Sequence, residues 1–135
     1  MHRRSAMVVG LTALLWATAL APLLAEDAAP SAERKKIEAL LSAVARADAV
    51  FIRNGSRHTP EEAANHMRRK LNNATRGFFG FGKPKKVSVE AFITKIASHS
   101  STTVKPYLIE HGGKKPYPVE RWLRSQLKRI EKPRR

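Results

Sequence analysis

The sequence predicts a mainly α fold: a compact four-helix single domain, with a possible short β-hairpin between helices 3 and 4. Three observations point there. Four stretches space their apolar residues by three and four, which gathers them on one helical face. Three of those stretches begin at a residue able to cap a helix, namely Ser31, Thr59 and Ser88. The chain has 135 residues, 42% of them hydrophobic, which is enough for one core and leaves little room for a second.

The first 25 residues stand apart from the fold. Met1-His2-Arg3-Arg4 is a short basic start, residues 6–24 carry no charge, and Leu23-Leu24-Ala25 ends in a small residue before Glu26-Asp27. That layout is expected of a secretory signal peptide over residues 1–25, cleaved after Ala25. A retained anchor helix is the rival, since the uncharged run is nearly long enough to span a bilayer. The mature chain would be a single small helical domain over 26–135, periplasmic or secreted. It lacks cysteine, so disulfides, a cysteine nucleophile, thiolate metal ligation and a lipoprotein anchor are all excluded. An exported protein without disulfides suits a bacterial periplasm.

Within the mature chain, residues 26–30 read as a linker. Ser31 caps a first helix with Ile37, Leu40, Leu41, Val44, Ala47 and Phe51 on its apolar stripe, and Asn54-Gly55 is expected to end it. Thr59-Pro60-Glu61-Glu62 starts the second, with Thr59 as cap, Pro60 in the first turn and Glu62 at the capping-box position. Its apolar face is expected to carry Ala63, Met67, Leu71 and Ala74. Glu62, His66, Lys70 and Asn73 form a stripe beside that face. Residues 75–86 break the pattern with three glycines, one proline and three phenylalanines, giving a basic Gly/Phe loop. Ser88 caps a third helix bearing Val89, Phe92, Ile93, Ile96 and Ala97, closed by Ser98 to Ser101. Residues 106–110 are expected to be extended and to turn back at Gly112-Gly113. Pro116 and Pro118 lead into a last helix with Val119, Trp122, Leu123, Leu127 and Ile130, whose basic end suits a helix C-terminus.

Several of these residues recur together in a known pattern. Phe51-x-Arg53-Asn54-Gly55, Glu62-Ala63-x-x-His66-x-x-x-Lys70, Phe92-Ile93, Ala97-Ser98-x-Ser100-Ser101 and Lys105-Pro106-Tyr107-Leu108-Ile109 stand in that order. Over about residues 33–127 the chain resembles the YfeK-like family of small exported bacterial proteins of unknown function. The resemblance implies a periplasmic or secreted domain and supplies no activity. It also leads one to expect Ser-Gly before the Lys-Pro-Tyr segment, where this chain has Thr103-Val104. The Gly/Phe loop is longer and more basic than the family leads one to expect.

Two sets of residues carry the candidate chemistry. Arg53, Asn54, His66, Lys70, Ser100 and Tyr107 are ligand-binding candidates, with Glu62 placed to touch His66 one turn away. Together they could form a small ligand-binding or hydrolytic site around Arg53, Glu62, His66 and Lys70. Against a metal, His58, His66, His99, His111 and Glu62 lack a paired ligand spacing, so no metal or cofactor is expected. Against a serine nucleophile, Ser98, Ser100 and Ser101 lack a Gly-x-Ser-x-Gly elbow, and serines at a helix end are ordinary capping residues.

The second set is electrostatic. The net charge is +15, and residues 53–86 and 114–135 each hold nine Lys/Arg against two Glu. Phe78, Phe79, Phe81, Lys83, Lys85 and Lys86 mix aromatic and basic character within the first block. That suits an anionic envelope lipid or polysaccharide. Nucleic acid is disfavoured because export removes it as a partner. The expectation is a monomeric binding or envelope-associated protein rather than an enzyme. The sequence singles out no protein partner.

Overall fold

The computed structural model describes residues 31–76 and 84–134. Among these residues four helices pack with a small antiparallel sheet. Helix α1 spans Ala32–Ala45, strands β1 and β2 span Val50–Arg53 and Ser56–His58, and helix α2 spans Pro60–Thr75. Helix α3 opens with one α turn, Val89–Ala91, and widens into a π-helical stretch, Phe92–Ala97. Strands β3 (Leu108–Glu110) and β4 (Tyr117–Pro118) follow, and helix α4 (Val119–Glu131) closes the chain.

The helix starts follow the capping rules. The Ser31 hydroxyl accepts the Arg34 N–H at 3.2 Å. Thr59 and Glu62 form the reciprocal capping box, with Thr59 N–H donating to Glu62 Oε2 at 2.9 Å and Glu62 N–H donating to Thr59 Oγ1 at 3.2 Å. Ser88 Oγ accepts the Ala91 N–H at 3.1 Å. Glu33 on α1 accepts the Val89 N–H at 2.8 Å, so α1 also caps the start of α3. The π-helical widening is not visible in three- and four-residue spacing.

The first helix is shorter than its apolar stripe suggests. It ends at Ala45, and Phe51 belongs to β1. Asn54 and Gly55 have φ of 49° and 81°. They form the two-residue turn of a β1–β2 hairpin rather than a helix exit. Val50-Phe51-Ile52 are strand formers directly ahead of Asn-Gly, the pair best suited to two consecutive left-handed residues. A strand still buries Phe51, at 4% exposure, which is why the helical stripe seemed to run on to it.

The sheet order is β2-β1-β3-β4, all antiparallel. Phe51 pairs with His58 on one side and Ile109 on the other. The expected hairpin around Gly112-Gly113 is present, with Ile109 opposite Tyr117. One core joins the layers: Leu40, Leu41, Val44, Phe92, Ile93, Ile109, Val119 and Leu123 are fully buried. The predicted faces run out early, since Ala74 and Ile130 are exposed. Ion pairs staple the outside, Arg124 to Glu90 and Glu120 at 2.8 and 2.9 Å and Lys36 to Glu131 at 2.8 Å.

Among the described residues no helix is long and apolar enough to cross a membrane. Residues 1–30, which include the expected leader, lie outside the described residues, as do Phe78, Phe79, Phe81 and Lys83. The ends of the Gly/Phe loop meet: Lys85 N–H donates to Thr75 O at 3.0 Å, and Lys85 and Lys86 are exposed.

Candidate functional site

Three elements bring Arg53, His66 and Tyr107 together. Residues two apart on a strand share a face, so Arg53 follows Phe51 on the inward side of β1, at its end. The β1–β3 register pairs Ile52 with Leu108, and one step further sets Arg53 opposite Tyr107. Helix α2 supplies His66 from the position beside Met67, which is buried.

The side chains make a chain of hydrogen bonds. Arg53 Nη1 lies 2.7 Å from His66 Nδ1 and 3.1 Å from Nε2. A guanidinium only donates, so the shorter contact assigns the ring's lone pair to Nδ1. The other nitrogen, Nε2, then carries the proton and donates to Tyr107 Oη at 3.1 Å. Tyr107 also meets the His66 ring edge-on, with centroids 6.0 Å apart. Behind it, Lys70 Nζ sits 5.2 Å from the tyrosine ring centre and donates to His99 O at 2.7 Å.

The electrostatics favour a neutral imidazole. Burial, then the charges of Arg53, Lys70 and Arg69, lower the His66 pKa to about 4. Burial, with Arg53 adding repulsion, also lowers that of Lys70. Burial raises that of the Tyr107 phenol, against a smaller opposing pull from Arg53. Arg53 itself is half-buried, and among the described residues no carboxylate pairs with it within 4.0 Å. Its partner is a neutral ring.

Arg53, His66 and Tyr107 wall a cavity of about 320 Å³. Phe51, Ala63, Met67 and Tyr107 give it apolar surface, and Arg53, His58, Glu62, Asn65, His66 and Arg69 give it polar edges. His58 Nε2 is buried there without a hydrogen-bond partner among the described residues, while its Nδ1 stands 3.7 Å from Glu62 Oε2.

The expected ligand residues divide accordingly. Arg53, His66 and Tyr107 meet, with Lys70 over the ring of Tyr107. Glu62 does not pair with His66: its carboxylate takes the Thr59 amide, which is the main reason its pKa is lowered, and leans to His58. Asn54 and Ser100 form a neighbouring knot. Asn54 Nδ2 donates to Ser100 Oγ at 3.4 Å, and Thr103 Oγ1 donates to Asn54 Oδ1 at 2.7 Å. Ser100 Oγ also accepts the Thr102 and Thr103 amides at 3.4 and 3.3 Å. The knot holds the hairpin tip against the 100–104 turn. Asn65 and Arg69 were not among the expected ligand residues, and His58 was expected only as a neighbour in sequence. Asn54-Gly55 read as a hairpin would have set His58 beside Phe51.

No solved structure matches the chain. The protein described as "Uncharacterized protein YfeK" of Salmonella typhimurium is 45% identical over 76 residues, which cover 56% of this chain and 57% of that relative's length. The pattern of the family described as "Family of unknown function (DUF5329)" matches residues 31–131. The chain belongs to that family, and its similarity to YfeK is the one its scattered motifs led one to expect.

Proposed function

We propose that this is an exported binding protein that holds a small anionic ligand in the cavity beside Arg53. One observation carries the reading. A half-buried guanidinium on a cavity wall has a neutral histidine, and no carboxylate, as its partner among the described residues. A cation in that setting is stabilised by any anion that reaches it, and a planar carboxylate matches its paired donors. The cavity volume of about 320 Å³ falls within the range of small-molecule sites. Its apolar surface suits a ligand with a hydrocarbon or aromatic part.

Binding is favoured over hydrolysis. Among the described residues the cavity lining has no serine, threonine or lysine, and Ser100 Oγ is taken up by its own turn. Export is supported by the leader pattern of residues 1–25. The ligand would then be an anionic component of the periplasm or envelope.

The test is a thermal-shift and calorimetric panel of benzoate, isovalerate, inorganic phosphate and the uncharged amide benzamide. Benzoate or isovalerate should raise the melting temperature, and benzamide should not. Arg53→Gln should weaken binding at least about tenfold, the share of one charge-assisted hydrogen bond pair. No shift with any anion, or equal binding by Arg53→Gln, would sink the reading.

A further inference from the structure

We propose that the cavity takes up its anion together with one proton, which His66 accepts on Nδ1. This rests on the anion site proposed above and adds the way that site is regulated.

The geometry supplies the reason. In the free protein His66 Nδ1 is the acceptor for Arg53, and Nε2–H is already committed to Tyr107. The groups facing the ring come from every element around it. They are Arg53 on β1, His58 at the end of β2, Glu62, Arg69 and Lys70 on α2, and Tyr107 ahead of β3. Three are permanent or near-permanent cations. The single carboxylate, Glu62, is spent on the Thr59 amide and leans to His58. A positive charge on the ring is therefore repelled, consistent with its depressed basicity.

An anion on Arg53 reverses both terms. It brings the negative charge the cluster lacks, and it draws the guanidinium N–H groups off Nδ1. The freed lone pair takes a proton from solvent, and the new Nδ1–H donates to the anion. Tyr107 keeps Nε2–H throughout, so the proton has one place to go. Tyr107 acts as a positioning residue for the ring's tautomer. His66 thus changes from acceptor for Arg53 to donor for the ligand. Binding and protonation are linked, so affinity rises as pH falls towards the free ring's pKa.

Calorimetry with benzoate at pH 5.5 and pH 7.5, in buffers of different ionisation enthalpy, tests this. Benzoate stays ionised at both values, so the protein alone supplies the linkage. The expected result is tighter binding at pH 5.5 by about tenfold, with close to one proton taken up per anion at pH 5.5 and little at pH 7.5. Any binding that His66→Gln retains should show no proton uptake and little pH dependence, while His111→Gln, whose ring lies outside the cavity lining, should keep both. In the wild-type protein the His66 ring resonance should titrate near the depressed value when free and well above it with benzoate bound. That measurement needs no variant to fold. Anion binding with no proton uptake, or uptake that survives in His66→Gln, overturns the proton linkage and leaves the anion site standing. No binding of benzoate, isovalerate or phosphate at either pH overturns both.

Discussion

Val104 and His66 are the residues whose local physics is most out of the ordinary. Val104 has φ of 57° and is 74% exposed, so a β-branched side chain occupies the left-handed region with no burial to offset it. It stands where the family resemblance led one to expect glycine. Left-handed backbone costs a non-glycine residue roughly 1–2 kcal/mol, and glycine's larger unfolded-state entropy takes back about 0.5–1 kcal/mol. Val104→Gly should therefore raise stability by about 0.5–1 kcal/mol, read as a higher urea midpoint. His66 works the other way. Its folded pKa, about 4, lies below the ordinary 6.5. Above pH 6.5 the ring is neutral folded or unfolded and contributes nothing. Between 6.5 and 4 the unfolded chain binds a proton that the folded one refuses, so stability falls as pH falls and levels off below 4. Partial exposure screens the effect, leaving something on the order of 1–2 kcal/mol. Urea midpoints measured from pH 7 to pH 4 should show this slope, and His66→Gln should lose it.

At the level of elements, the β1–β2 hairpin and the start of α2 position the cavity. The hairpin turns on Asn54 and Gly55, both left-handed, and only glycine takes φ of 81° without strain. Open space surrounds a Cβ at Gly55, so Gly55→Ala tests backbone strain alone. It should lower stability by about 1 kcal/mol. If the midpoint is unchanged, the turn is not held in that conformation. The α2 capping box satisfies two otherwise orphaned amide donors at the edge of the same cavity. Thr59→Ala should cost about 1 kcal/mol. The backbone N–H of residue 59 remains in that variant, so the Glu62 carboxylate should keep its main partner and most of its lowered pKa, visible by carboxyl NMR titration.

For the whole molecule, the core is one cluster shared by all four helices and the sheet. Phe92 in α3 is fully buried. Phe92→Ala should cost about 3–5 kcal/mol. Loss of fluorescence and helical signal should coincide, as expected for a domain of this size that unfolds in one step. The sequence by itself determined what local rules can write. Caps at Ser31, Thr59 and Ser88 reach three residues ahead, apolar spacing names each buried face, and the basic excess and the uncharged run of residues 6–24 are properties of composition and order. Those rules act within about one helical turn. Even there they left a choice at residues 47–55, where helix and strand would both bury Phe51, and Asn-Gly was the signal that favoured the strand. Tertiary structure alone decided that β1 pairs with β3 from the far end of the chain. That pairing sets Arg53 opposite Tyr107, and the packing of α2 brings His66 between them. Glu62 and His66 looked like partners because they are one turn apart. Glu62 went to the helix cap that the sequence had marked, and only folding gave His66 to an arginine, because a half-buried ring is satisfied by the donor that long-range strand pairing delivers, and sequence spacing holds no record of that distance.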